Sequence, residues 1–393
     1  MSRASLRTVL PLALVTGTSM LATDLYLPAV PVLQKSLGVE VTAAQATVAI
    51  FFAGLALSQL AWGESLNRLG PRRCIVIGVS ALILTSVACA LASSLPWLLA
   101  FRFIQGLAAG AATVVAPSVV RATLNGPDAV RGIAAISMVE ALVPAAGPVF
   151  GAALLVYLSW RGTFWILAIA ALIVLPIVVK ITPRELPGLD RSTPAGYGRV
   201  LANRRFLRII LSHALMGGAL FMFVASAPQL LRNVYGLDAS SFATLQVIGV
   251  AGFIITASRS SRIAARIGNA NAVKLGAIAH IVICAVLALL SLAGYASYPV
   301  LLVFWCCFCC FLAVRGPPAI SDALHLPAAQ MGRASAVMIL ALLIAAALGT
   351  QLIAPMLDRP SVLPMAVGML LLTLGSAAMI TPYPAEDGPA QAA

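Results

Sequence analysis

Asp24 interrupts an apolar run spanning roughly residues 8–33. A carboxylate at that depth in a hydrophobic segment costs about 3 kcal/mol on insertion scales, so it must face a cavity or a partner. Withdrawal from water disfavours the anion, which suits a group that takes up and releases a proton near neutral pH. The alternative is an aspartate permanently paired with a neighbouring arginine. Glu140 stands in a second such run, seven residues before Gly147 and therefore on the same helical face. It is a second protonation site, a binder of a cationic group, or a structural partner of Arg102. Arg102 stays charged in any surrounding and needs an acceptor, unless it lies at a helix end and snorkels to the interface. Arg315 and Asp322, also seven apart, share a face, with His325 beside them. They are read either as part of a cavity for a carboxylate or phosphate, or as an internal pair. His213 and His280 stand in apolar runs, where histidine is usually a hydrogen-bonded packing residue.

These few polar groups sit in a chain of 393 residues that is 61% hydrophobic and only 9% charged. A soluble domain carries about 25% charged residues. The surfaces this composition creates belong in lipid. A membrane-crossing helix takes about 20 apolar residues, and twelve stretches qualify: 8–33, 43–65, 73–93, 96–123, 132–158, 161–181, 206–233, 240–264, 271–293, 298–324, 333–357 and 361–381. The first is too long for a signal-peptide core and shows no cleavage site, so it is expected to be retained. No link is long enough to fold as a soluble domain.

The net charge of +13 is distributed as topology requires and not as nucleic-acid binding requires. Of the 25 Lys and Arg residues, Arg102 and Arg315 lie within spans and Lys35, Arg161, Arg232 and Arg359 fall on one set of links, leaving nineteen on the other set. The positive-inside rule then places both termini in the cytoplasm. Seven cysteines fall in or beside spans, and helical spacing puts Cys306 and Cys310 on one side. They are read as small packing residues, with no metal site expected.

The Pro- and Gly-rich stretch 182–205 is expected to link two six-helix bundles, 1–181 and 206–383, with 384–393 as a cytoplasmic tail. The halves repeat weakly: Arg68-Leu69-Gly70 and Gly78 recur as Arg266-Ile267-Gly268 and Gly276, 198 residues on. Such tandem repeats occur in transporters that bind solutes between the halves.

Five motifs carry a family resemblance. Thr23-Asp24-Leu25-Tyr26-Leu27-Pro28 lies in the first span. Gly63-Glu64-Ser65-Leu66-Asn67-Arg68-Leu69-Gly70-Pro71-Arg72-Arg73 follows the second. Arg102-Phe103-Ile104-Gln105-Gly106 lies in the fourth, Gly147-Pro148-Val149-Phe150-Gly151 in the fifth, and Gly332-Arg333-Ala334-Ser335-Ala336 opens the eleventh. Together they resemble the major facilitator superfamily, and within it the drug:proton antiporters of the bicyclomycin and chloramphenicol resistance group.

The resemblance implies an all-α membrane protein of twelve helices in two pseudo-two-fold-related bundles. It implies proton coupling through Asp24 and Arg102, to which helical spacing adds Glu140, and a substrate cavity at Asp24 and Tyr26; Glu140, Arg315 and Asp322 are added to that cavity from their own spacing, Arg315 lying outside the family pattern. Gly63, Asn67, Arg68, Gly70, Arg72 and Arg73 would latch the halves on the cytoplasmic side, their glycines permitting a tight turn. Asn67 replaces the family's usual aspartate, which weakens that latch. Gly147, Pro148 and Gly151 form the exporter-associated element, with the glycines allowing close helix contact and the proline bending the helix. The last motif is taken as close packing. The function implied is proton-coupled efflux of a small molecule, a drug or metabolite, by a monomer in the bacterial inner membrane, driven by the proton gradient without a cofactor. An uptake symporter of a small solute, anionic or not, is the alternative. A membrane-embedded enzyme or non-transporting receptor is remote, since no HExxH, Walker A or nucleophile-elbow pattern is present.

Overall fold

The computed structural model describes residues 3–124, 126–185, 197–323 and 328–381, with residues 3–5, 67, 126, 127, 130, 141, 199 and 328–332 described by their backbone alone. The centre of the 182–205 stretch, the tail 384–393 and His325 lie outside these. Twelve stretches of helix are long and apolar enough to cross a membrane, and no strand occurs among the described residues.

In the first half these are α1 (Arg3–Asp24) with α2 (Val30–Leu37), then α3 (Val41–Leu69), α4 (Pro71–Leu91), α5 (Leu95–Thr123), α6 (Gly126–Tyr157) and α7 (Trp160–Ile181). A short α8 (Gly198–Ala202) follows where the sequence suggested only linker. The second half has α9 (Arg204–Tyr235), α10 (Ala239–Ile267), α11 (Asn269–Leu292), α12 (Tyr298–Ala323), α13 (Ala328–Ile353) and α14 (Leu363–Ile380).

The two halves pack by one scheme. Helix α3 lies on α5, α4 on α5 and α7, and α1 on α6. The counterparts are α10 on α12, α11 on α12 and α14, and α9 on α13. Between halves α3 meets α13 and α10 meets α6, again a symmetric exchange. The repeated glycines explain part of this likeness. Gly38 and Gly236 end helices in the left-handed region, at φ 63° and 67°. Gly70 and Gly268 make the next reversal at φ 79° and 85°. Only glycine takes these angles without strain, so one turn chemistry closes equivalent corners twice.

Helices α3 and α5 approach most closely through a reciprocal glycine contact. A Cβ on Gly106 would overlap the Phe51 carbonyl oxygen, and one on Gly54 would overlap that of Phe103. Without a hydrophobic drive between helices in lipid, such small-residue contact supplies much of the packing. Both obstacles are backbone atoms, which no rotamer change removes. Gly106→Val is therefore expected to cost more than the ~1–3 kcal/mol of ordinary overpacking and to abolish the monodisperse peak in detergent size exclusion. Gly63→Ala, where a Cβ meets nothing within 4 Å, should leave the peak in place.

Candidate functional site

The first span is not one helix. Helix α1 ends at Asp24, a 3-10 turn covers Leu27–Ala29, and α2 starts at Val30. Pro28 and Pro31 lack the N–H groups that would continue the ladder. At the break the Tyr26 N–H turns to the Thr23 carbonyl at 3.0 Å. This releases the Ala22 carbonyl, whose helical donor Tyr26 would otherwise be.

Arg102 takes that carbonyl. Its Nη1 donates to Ala22 O at 3.0 Å and to Gln105 Oε1 at 2.7 Å, and its Nε donates to Thr47 O at 3.2 Å. The guanidinium lies over the rings of Tyr26 (4.5 Å) and Phe51 (4.2 Å) and is fully buried. A cation at a helix C-terminus matches the negative end of the dipole. Tyr26 completes the knot by sharing a hydrogen bond with Thr47 Oγ1 at 2.6 Å.

Asp24 itself points elsewhere. It is 7% exposed and packs against α6, where a Cβ on Gly147 would stand 2.5 Å from Asp24 Cβ. A Cβ on Gly151 would overlap the Leu25 carbonyl. The two glycines therefore let the break in α1 lie directly on α6. Among the described residues the Asp24 carboxyl has no hydrogen-bond or ion-pair partner, and neither has that of Glu140. Glu140 is half-buried two turns back on α6, about 10 Å along the axis from Gly147 at 1.5 Å per residue.

Several expectations change. Arg102 is held by two backbone carbonyls and Gln105, without an ion pair to Asp24 or Glu140 among the described residues. Tyr26 is buried inside the first half and does not line the space between halves. Arg315, also buried, belongs to the packing of the second half. Its Nη1 donates to Ser376 Oγ at 3.0 Å and its Nη2 to Ser212 Oγ at 2.6 Å, and Gly276 leaves room for its stem. These partners lie on α14, α9 and α11, all in the second half. Asp322 accepts from Asn269 Nδ2 at 2.8 Å. His280 is a packing residue between the carbonyls of Gly276 and Phe308.

In the latch motif only Gly70 turns the chain. A Cβ there would overlap the Arg184 carbonyl, whereas Gly63 lies within α3. Arg68 pairs with Glu64 on its own exposed helix end at 2.9 Å instead of reaching the other half. Such exposed pairs add little. Arg72 and Arg73 have no partner among the described residues. Ala334, in the last motif, is fully buried, as close packing requires.

Several side-chain contacts join the halves from mid-span to the face opposite the start of α1. Gln229 Nε2 donates to Gln34 Oε1 at 3.2 Å, and Phe52 packs edge-on against Phe221 with centroids 5.0 Å apart. Gln246 Nε2 reaches the Pro144 carbonyl at 3.4 Å. A cavity of about 800 Å³ opens on that face, lined by residues including Pro31, Val149, Pro228, Arg232 and Asp238. Asp238 caps α10, and its carboxyl is held below the usual range chiefly by the Ser240 hydroxyl.

Two like helical bundles, meeting across a membrane-embedded seam beside a buried acid that has no partner among the described residues, define a multi-pass membrane transporter. The chain belongs to the major facilitator superfamily, whose family model matches residues 12–350. Multidrug resistance protein MdtL of Escherichia coli is 28% identical over 240 residues, 61% of this chain and 61% of MdtL. The match thus spans less than two thirds of that relative's length. Among solved structures, a D-xylose-proton symporter superposes with a TM-score of 0.73 at 14% identity, covering 96% of this chain and 98% of its own. A bacterial homologue of the human lysosomal transporter Spinster, inward-facing and occupied, gives 0.72 at 16% identity with 95% of each chain covered. At these identities the superpositions establish the fold.

Proposed function

We propose that this protein exports a small molecule across the bacterial inner membrane in exchange for protons, as a monomer with both termini in the cytoplasm. Residues 1–181 and 206–383 would rock about the seam, joined by 182–205. The observation that carries this reading is the Asp24 carboxyl: buried, without a partner among the described residues, and set at the C-terminal end of α1. Burial and the negative end of the helix dipole both work against a lasting negative charge there. Such a group gains most from holding a proton while enclosed and releasing it when the seam opens to water. Glu140 is the second acid on the same route, and the cavity between the halves takes the cargo.

Direction is supported by the Gly147–Pro148–Gly151 element, which holds Asp24, and by the likeness to MdtL. Inverted membrane vesicles test it. Acidifying their lumen should drive accumulation of an exported dye or antibiotic, with collapse on adding a protonophore. Proton-dependent uptake of that compound by intact cells would make the protein a symporter instead.

A further inference from the structure

Pro148 cannot donate a backbone hydrogen bond, so the carbonyl four residues earlier, that of Pro144, loses its helical partner. That carbonyl lies where α6 faces α10 of the other half. The Gln246 side chain, 2% exposed, directs its Nε2 at the Pro144 oxygen across the seam, 3.4 Å away. Its own Oε1 is buried with no partner among the described residues. A buried glutamine with an orphaned oxygen is unfavourable unless its other end gains something.

We propose that Gln246 is a positioning residue that clasps the outer end of the seam by capping the backbone carbonyl that Pro148 leaves open. The proposal deepens the transport reading: it names the contact that must break for the outer side to open. The geometry suits a gate that opens every cycle. In the closed form the amide nitrogen satisfies the carbonyl, while the amide oxygen goes without a partner among the described residues. In the open form water satisfies both, so the net gain of closing is small and reversible. Glu140, Pro144, Gly147, Pro148 and Gly151 fall at helical spacing along one side of α6. Asp24 rests on Gly147, one residue from the proline. The proton site and the clasp therefore press on the same bend of α6 from opposite halves, and a shift of α1 on protonation acts on the carbonyl that Gln246 holds.

The test is hydrogen–deuterium exchange by mass spectrometry on the full chain in lipid nanodiscs. Gln246→Met keeps the length and packing of the side chain but removes its donor. It should raise exchange about five-fold in segments 149–156 and 239–248, the scale of one net hydrogen bond. Pro148→Ala restores an N–H to the helix and supplies the Pro144 carbonyl from within, so Gln246→Met should change exchange much less in that background. Wild-type exchange in Gln246→Met, or an equal increase with and without Pro148, would overturn the clasp. Neither readout needs a cargo or a proton gradient. Failure of proton-driven flux in the wild type would remove the transport reading and leave the clasp standing.

Discussion

Asp24→Asn is expected to abolish proton-driven accumulation while leaving the amount of folded protein and its melting temperature unchanged. The first half follows from charge. The motive force supplies roughly 2.3 kcal/mol per charge per 100 mV. For a neutral cargo exchanged against one proton, losing the carrier forfeits roughly fifty-fold accumulation per 100 mV. The second half follows from the surroundings. The carboxyl has no hydrogen-bond or ionic partner among the described residues, so the near-isosteric amide removes no contact. A structural acid behaves in the reverse way, because breaking a buried pair costs about 3–5 kcal/mol. Accumulation in proteoliposomes with an imposed pH step is the measurement, alongside thermal unfolding of the same preparation. Undiminished pH-driven accumulation by the asparagine variant would refute Asp24 as the proton carrier. Downhill efflux of a neutral cargo should survive, because it needs the cavity but not the coupling.

The spans were legible in the sequence because hydropathy alone sets them, and the repeat was legible because glycines at positive φ leave a signature at fixed spacing. The break in the first span was written there too, in Pro28 and Pro31, yet a hydropathy reading runs straight through both. Facing was harder. Tyr26 and Asp24 are two residues apart, and the intervening turn sends one among α3, α5 and α7 and the other onto α6. Arg315 shares a face with Asp322 in helical projection, but a helix inside a bundle has apolar neighbours on every side. Spacing cannot say which of α9, α11 or α14 that face meets. Gln246 carried no signal of its own. The clue to it was the missing donor of Pro148, a hundred residues away in the chain.

Arg102 is where motif and geometry part, and its replacement by lysine separates them. As a member of a proton relay it would act through charge, and lysine keeps the charge. In the structure it acts through shape. One guanidinium reaches the carbonyls of Ala22 and Thr47 and the Gln105 amide oxygen while lying over two rings. A lysine ammonium is a point charge that cannot span this set or stack in the same way. Arg102→Lys is therefore expected to lower the melting temperature by several degrees, the effect of losing about 2–3 kcal/mol of charge-assisted bonding in a buried site. The released Ala22 carbonyl would be left without a donor beside the acid. Transport should fall with it, because the turn that aims Asp24 at Gly147 loses its anchor, while the pH at half-maximal activity stays where the wild type has it. A relay role acting through charge predicts the opposite pattern: wild-type stability and near-wild-type proton-coupled transport, because lysine keeps the charge. Gln105→Ala supplies an independent reading. It removes one of the acceptors of Arg102 without touching charge, and it should reproduce the loss of stability in milder form, again with an unmoved pH profile.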